Sequence, residues 1–262
     1  MNASFIFLML TGSKFMIIKT IIQHKGGVGK TTTTLNLGKG LSMEGYKVLI
    51  IDTDPQANLS QCVGIENPEA NIYDTYQHGT PLPIVEIDYN FHLVPSSLDL
   101  VGAESTLLSR QIEGYVALKN ALEPVQENYD YILIDCPPTL GILTTNALLA
   151  STDALIVLQS HYLALRGMET IMGAIKSVKK FNPGIKVSGI LITQTERTVA
   201  NKKIIEVIRD SYGELVYETM IRKNISVMES SIVKQDIFTY DPTCAAAEDY
   251  LAFTKELIQK EK

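Results

Sequence analysis

The sequence predicts an α/β protein built on a doubly wound, mostly parallel sheet with helices on both faces. Short apolar runs alternate along the chain with stretches of helical period, a pattern that calls for parallel strands joined by crossover helices. Two of those runs end in a carboxylate, at Asp52 and Asp135, so acidic groups stand at strand ends, where sheets of this class bind ligands. With 262 residues, 45% of them hydrophobic, the chain is long enough for one large core. Nothing marks a second domain, and residues 16–262 are read as one.

The elements follow in order. Ile17–Ile22 is dense in isoleucine and reads as a buried strand, and 30–44 after it has helical spacing. Val48-Leu49-Ile50-Ile51 has no polar residue and reads as a strand covered on both faces. Further strands are expected at 91–94, 131–135, 154–159, 187–192 and 215–218, each a short apolar run. Helical patterns fill 115–128, 141–150, 166–181 and 198–211 between them. At 244–259 the helix carries Tyr250, Phe253 and Leu257 at i, i+3 and i+7, a stripe suited to packing on the body of the protein. Pro68, Pro81, Pro83 and Pro95 predict irregular chain over 55–90 and 95–114.

Composition narrows the function. Cys62, Cys136 and Cys244 are scattered without C-x-x-C spacing, which excludes a disulfide framework or a zinc site of ordinary spacing and suits a reducing, cytoplasmic setting. Phe5–Leu10 is apolar but far too short to span a membrane. It lacks the basic start and cleavage site of a signal peptide. Residues 1–15 are therefore expected to be a disordered N-terminal extension. The net charge of −6 argues against a constitutive nucleic-acid binder, yet Arg166–Lys234 holds 12 Lys and Arg against 7 Asp and Glu. Arg197, Lys202, Lys203, Arg209, Arg222, Lys223 and Lys234 could form one basic patch there.

The most informative stretch is Lys25-Gly26-Gly27-Val28-Gly29-Lys30-Thr31-Thr32, between the first strand and the first helix. Closely spaced glycines let the backbone curl with its N–H groups inward, where side chains would block a polyphosphate. Lys30 would reach the β- and γ-phosphates and the Thr31 hydroxyl would ligate Mg²⁺. The helix N-terminus that follows favours the same anion. This is a P-loop in the context that such a loop requires. It departs from G-x-x-x-x-G-K-[ST] in having His24 at the first glycine position.

That departure, with Lys25, resembles the deviant Walker A loop of the ParA/MinD superfamily of dimeric ATPases, K-G-G-x-G-K-[ST], and leans towards its ParA/Soj-type partition members. The resemblance implies that Lys25 reaches across an ATP-bound homodimer to the partner's phosphates, in the role an arginine finger plays elsewhere. Asp52-Thr53-Asp54-Pro55-Gln56 resembles the family's D-x-D-P-Q segment. That implies a water-positioning role for Asp54, with Asp52 holding one of the waters of Mg²⁺. Tyr131–Asp135 is a Walker B strand in form, with Asp135 behind the metal. Asp153–Gln159 and Tyr162–Gly167 resemble the family's V-Q-x-x-Y-x-A-L-x-G stretch, with His161 and Arg166 in place of the usual glutamates.

Softer matches imply an adenine pocket at Thr193 and Gln194 and along the backbone of Ile221 and Arg222, where Ile221-Arg222-Lys223-Asn224 is similar to a family I-P-R-N stretch without its proline. They also imply nonspecific DNA contacts at Arg197, Lys202, Lys203, Arg222 and Lys223, with Ser226 in place of a second common arginine. The activity implied is Mg²⁺-dependent ATP hydrolysis, weak until stimulated by a ParB-like adaptor. The protein would be cytoplasmic and on the nucleoid when ATP-bound. The alternative is a MinD-like ATPase cycling on a membrane or other cargo. Its basic amphipathic tail has no counterpart at 248–262, which carries four acids and three lysines, so no stable membrane association is expected.

Overall fold

The computed structural model describes residues 16–161 and 164–262; residues 1–15, Tyr162 and Leu163, and the side chains of 164–166 lie outside that description. The extension expected at 1–15 and the match at Tyr162–Arg166 fall there.

One sheet of eight strands runs through the described chain in the order β3-β4-β2-β5-β1-β6-β7-β8. The strands are β1 (Ile17–Ile22), β2 (Val48–Asp52), β3 (Val85–Asp88), β4 (Phe91–Val94), β5 (Tyr131–Asp135), β6 (Asp153–Gln159), β7 (Lys186–Thr195) and β8 (Val216–Arg222). All pairings are parallel except the β3–β4 hairpin at the edge. β2 and β5 are buried at every residue, and so is β1 beyond Ile17, as runs without alternation require. The register aligns Asp52 with Asp135 on neighbouring strands. β1 lies between β5 and β6, so the chain that leaves it opens into the crevice where the winding reverses.

Helices cover both faces: α1 (Lys30–Met43), α2 (Asn58–Cys62), α3 (Ile72–His78), α4 (Leu100–Ser109), α5 (Ile112–Tyr115), α6 (Ala117–Leu122), α7 (Ile142–Ala150), α8 (Ala164–Val178), α9 (Val199–Tyr212), α10 (Ile225–Ile232), α11 (Ile237–Tyr240) and α12 (Ala245–Glu261). Tyr250, Phe253 and Leu257 of α12 are buried, as their spacing predicts. α12 lies so close to α1 that any side chain at Gly40 would run into Thr254.

The irregular stretches expected at 55–90 and 95–114 are wrong. They contain α2, α3, β3, α4 and α5. The prolines fall between these elements rather than inside them, and Pro95 even serves one, since its carbonyl accepts Ile72 N at 2.9 Å. α3 starts on a capping box between Asn71 and Asp74, which holds a short helix that periodicity cannot register. The helix expected at 115–128 is broken into α5, α6 and a 3₁₀ turn at Gln126–Asn128, with Pro124 between the last two. β7 and β8 run three and four residues past their expected ends.

Candidate functional site

The loop after β1 is shaped by two glycines with left-handed backbone, Gly27 at φ +75° and Gly29 at φ +92°; α1 starts on the next residue. A Cβ at Gly26 or Gly27 would meet nothing within 4 Å, so the protein leaves open space over the loop. The loop carbonyls are tied from behind. Thr193 Oγ1 donates to Val28 O at 2.7 Å and Gln194 Nε2 donates to Gly27 O at 2.6 Å, while Gln159 Nε2 holds Gln194 Oε1 at 3.0 Å. Gln194 itself takes a left-handed backbone, φ +53°. Among the described residues, no N–H from Lys25 to Thr32 has a protein acceptor. With the carbonyls turned away, a run of free donors opens on a helix N-terminus.

Lys30 is 7% exposed, and its ammonium has one long bond, 3.5 Å to Lys25 O. Lys25 is exposed on the outer side of the loop. Val28 is buried and pins the loop to the core.

Beside the loop stands a group of carboxylates. Thr31 Oγ1 donates to Asp135 Oδ2 at 2.7 Å, and Thr34 Oγ1 reaches Asp135 Oδ1 at 3.5 Å. Asp52 faces the other way. Its oxygens accept from Asp54 N at 3.1 Å, Ser60 N at 2.9 Å and Ser60 Oγ at 2.8 Å. Asp52 thus folds the turn that carries Asp54, and Asp54 Oδ1 caps Gln56 N at 2.9 Å. Ser96 completes this turn by donating to Asp54 O at 2.9 Å. Sequence reasoning missed Ser60 and Ser96. The signal for Ser60 was weak: a serine early in a helix that follows D-x-D-P.

Burial pushes Asp135 up to about 8 and Asp52 up to about 6, and neighbouring carboxylates add to both shifts. Hydrogen bonds to both carboxylates, and Lys30 near Asp135, offset only part of the shift, and an added cation would offset more of it. Among the described residues no three acidic, histidine or cysteine side chains converge on a metal. That donor set suits Mg²⁺, which keeps most of its waters and needs only a hydroxyl or carboxylate plus substrate phosphates. The residues fit a polyphosphate with Mg²⁺.

The basic patch is not one surface. Arg222 is clamped on Asp249, with Nη2 at 2.7 Å and Nε at 2.9–3.0 Å, and it also reaches Glu248 at 3.2 Å. These acids raise its pKa further. Arg209 pairs with Glu218 at 3.0 Å, Lys234 with Glu66 at 2.6 Å and Lys223 with Glu196 at 2.7 Å. The correction is physical, because α12, β8 and neighbouring loops bring acids beside charges that look free in the sequence. Arg197, Lys202 and Lys203 are exposed at the start of α9, and among the described residues no acid pairs with them. Of the residues expected at the base, Thr193 and Gln194 face the phosphate loop. Ile221 is buried beside it, and Lys223 N bonds Thr195 O at 3.1 Å.

A strand, a glycine loop with free amides, a buried lysine and a threonine on a strand-end aspartate define a P-loop nucleoside-triphosphatase. A family model described as an AAA domain matches residues 16–187. The sporulation initiation inhibitor protein Soj of Bacillus subtilis is 38% identical over 247 residues, covering 92% of this chain and 97% of that one. The chromosome partitioning protein ParA of Myxococcus xanthus is 36% identical over 249 residues, covering 92% and 87%. Among solved structures, cobyrinic acid a,c-diamide synthase of Mycobacterium smegmatis, with bound ATP analogue and magnesium, is 30% identical at a TM-score of 0.81, covering 93% of this chain and 95% of that one. The chain belongs to the AAA-domain family of ATPases, among its ParA and Soj partition members.

Proposed function

We propose that this protein is a partition ATPase whose Mg²⁺–ATP form pairs into a homodimer, holds DNA without sequence preference, and lets go when a ParB-like adaptor stimulates hydrolysis. The observation that carries the nucleotide part is the run of N–H groups from Lys25 to Thr32 without protein acceptors. Lys30 binds the β- and γ-phosphates, and Thr31, backed by Asp135, holds Mg²⁺, which neutralises charge on the transferring phosphoryl group. Asp54 orients the attacking water. Asp52 acts at one remove, by holding the Asp54 turn and the inner side of the metal site. Lys25, exposed and without an acidic partner among the described residues, reaches the phosphates of a second subunit. The base lies along the Ile221–Lys223 backbone, with Thr193 and Gln194 holding the loop beneath it.

DNA contact falls to Arg197, Lys202 and Lys203, with Lys223 joining when Glu196 releases it. Arg222 is a structural cation in this arrangement. The MinD-like alternative is disfavoured because the apolar face of α12 is buried, which leaves that helix no bare face for a membrane surface. The protein would work in the cytoplasm, on the nucleoid.

Fluorescence anisotropy on a labelled duplex of arbitrary sequence tests the proposal. Binding should require ATP and Mg²⁺, and log affinity should fall with log salt at a slope of about −0.9 per phosphate contacted. Arg197→Glu with Lys202→Glu should abolish it without altering ATP-dependent dimerisation. Binding that ignores ATP, or survives that double change, would refute the DNA assignment.

A further inference from the structure

β8 stands last in the sheet order, and an edge strand presents N–H groups that no further strand accepts. Two carboxylates of α12 take three of them. Near the start of the strand Glu256 accepts Glu218 N and Thr219 N, both at 2.8 Å. At its end Asp249 accepts Arg222 N at 2.8 Å. The two acids lie two turns apart on one face of the helix, but their surroundings differ. β8 runs parallel to β7, and Arg222 lies opposite Thr195 in the register. Thr195 directly follows Thr193 and Gln194, which brace the phosphate loop. Glu256 therefore clasps the end of β8 remote from the loop, and Asp249 the end beside it.

We propose that Asp249 is a positioning residue for the nucleotide: by holding Arg222 it fixes the Ile221–Lys223 backbone against which the base rests. This role rests on the base placement proposed above. The Asp249 side chain is 13% exposed. Besides Arg222 N it binds Nε of the same residue at 2.9–3.0 Å and Nη2 at 2.7 Å. One carboxylate thus grips main chain and side chain of a single residue, through bonds of the strong, charge-assisted kind.

The inner side of the segment is tied to β7. Lys223 N donates to Thr195 O at 3.1 Å, and Thr195 Oγ1 donates to Ile221 O at 3.4 Å. Asp249 supplies the outer grip. The turn of α12 that carries it is itself set against the phosphate site, because Tyr250 Oη meets Thr33 Oγ1 of α1 at 3.3 Å. A proline at position 222, as in the I-P-R-N pattern, would fix its own φ and have no N–H to give. With arginine there, the conformation of this segment falls to Asp249.

Titration calorimetry on the full chain separates base from phosphate. Asp249→Ala should weaken Mg²⁺–ATP binding about tenfold, while Mg²⁺–tripolyphosphate, which has no base, binds within twofold of wild type. Asp249→Asn keeps the volume and one acceptor oxygen and should lose less. Glu256→Ala removes the matching clasp at the other end of β8, so it should lower the melting temperature yet leave ATP affinity within twofold. Photolabelling of wild type with 8-azido-ATP marks the base itself and should modify residues 221–224. Equal losses for ATP and tripolyphosphate in Asp249→Ala, or an ATP loss as large in Glu256→Ala, would assign the clasp to the scaffold and overturn the proposal. Unchanged ATP affinity in Asp249→Ala with labelling at 221–224 would overturn it and leave the base placement standing. Labelling elsewhere in wild type would remove the base placement and the role of Asp249 together.

Discussion

Thr193 offers a sharp test of how the phosphate loop is held open. Its side chain is 2% exposed and its hydroxyl donates to Val28 O at 2.7 Å, behind a loop residue that is itself 2% exposed. Thr193→Val keeps the shape of the side chain and removes the donor. A buried carbonyl left without a partner costs about 1–3 kcal/mol. If that cost falls on the loop conformation that presents its amides, ATP affinity drops roughly 5- to 150-fold, at tenfold per 1.4 kcal/mol. Gln194→Ala removes the neighbouring bond to Gly27 O, which lies nearer solvent. Water can replace it, so the loss should be smaller, about 0.5–1.5 kcal/mol. Titration calorimetry with Mg²⁺–ATP measures both, with thermal melting of the nucleotide-free proteins as control. Thr193→Val binding ATP within twofold of wild type, or Gln194→Ala suffering the larger loss, would refute the bracing role. A lowered melting temperature with unchanged affinity would do the same, by assigning the bond to the scaffold alone.

Other variants probe separate parts of the site. Lys30→Ala should abolish ATP binding in the same titration. Lys25→Ala should keep it but lose the dimer formed with a nonhydrolysable analogue in sedimentation. Asp54→Ala should bind ATP, dimerise and stall, so a DNA complex that outlasts the wild-type one in a competitor chase is expected. Asp135→Asn addresses the charge beside the phosphate loop in the nucleotide-free protein. The folded protein holds a proton on Asp135 up to about pH 8 against an ordinary carboxyl value of 3.8, so wild-type stability without nucleotide falls as pH rises between those values. Asparagine has no such loss, and the variant should melt above wild type at pH 8.5 and level with it near pH 4. Glu261→Gln tests the end of α12: Glu261 lies 2.9 Å from the fully buried Lys19 and accepts from Tyr131 Oη at 2.8 Å. Leaving that lysine unpaired costs about 3–5 kcal/mol, which at about 2–4 °C per kcal/mol should lower the melting temperature by roughly 6–20 °C.

What the sequence disclosed, and what it withheld, divides along contact distance in the chain. β1, β2 and β5 were legible because a strand buried on both faces has to be apolar throughout, and the burial face of α12 because its period is local. The loop's place between β1 and α1 followed from its glycines and its flanks. α2, α3 and α4 were hidden because each is short and begins at a cap or turn, so prolines nearby looked like breakers when they are connectors. The bracing of the loop could not be read at all. Thr193 is 165 residues from Val28, and a threonine at a strand end carries no mark of the carbonyl it will meet. Charge misled for a related reason. Arg222 contributes to a basic stretch in sequence, yet Asp249, 27 residues later, occupies its guanidinium. A run of lysines and arginines counts as a surface only where the fold brings no acid beside it, and of the seven residues first grouped as one patch that leaves Arg197, Lys202 and Lys203 among the described residues. The DNA experiment above therefore targets Arg197 and Lys202, and an effect of Arg222→Ala on stability rather than on DNA affinity would show that the fold, not the charge count, decides which cations are available.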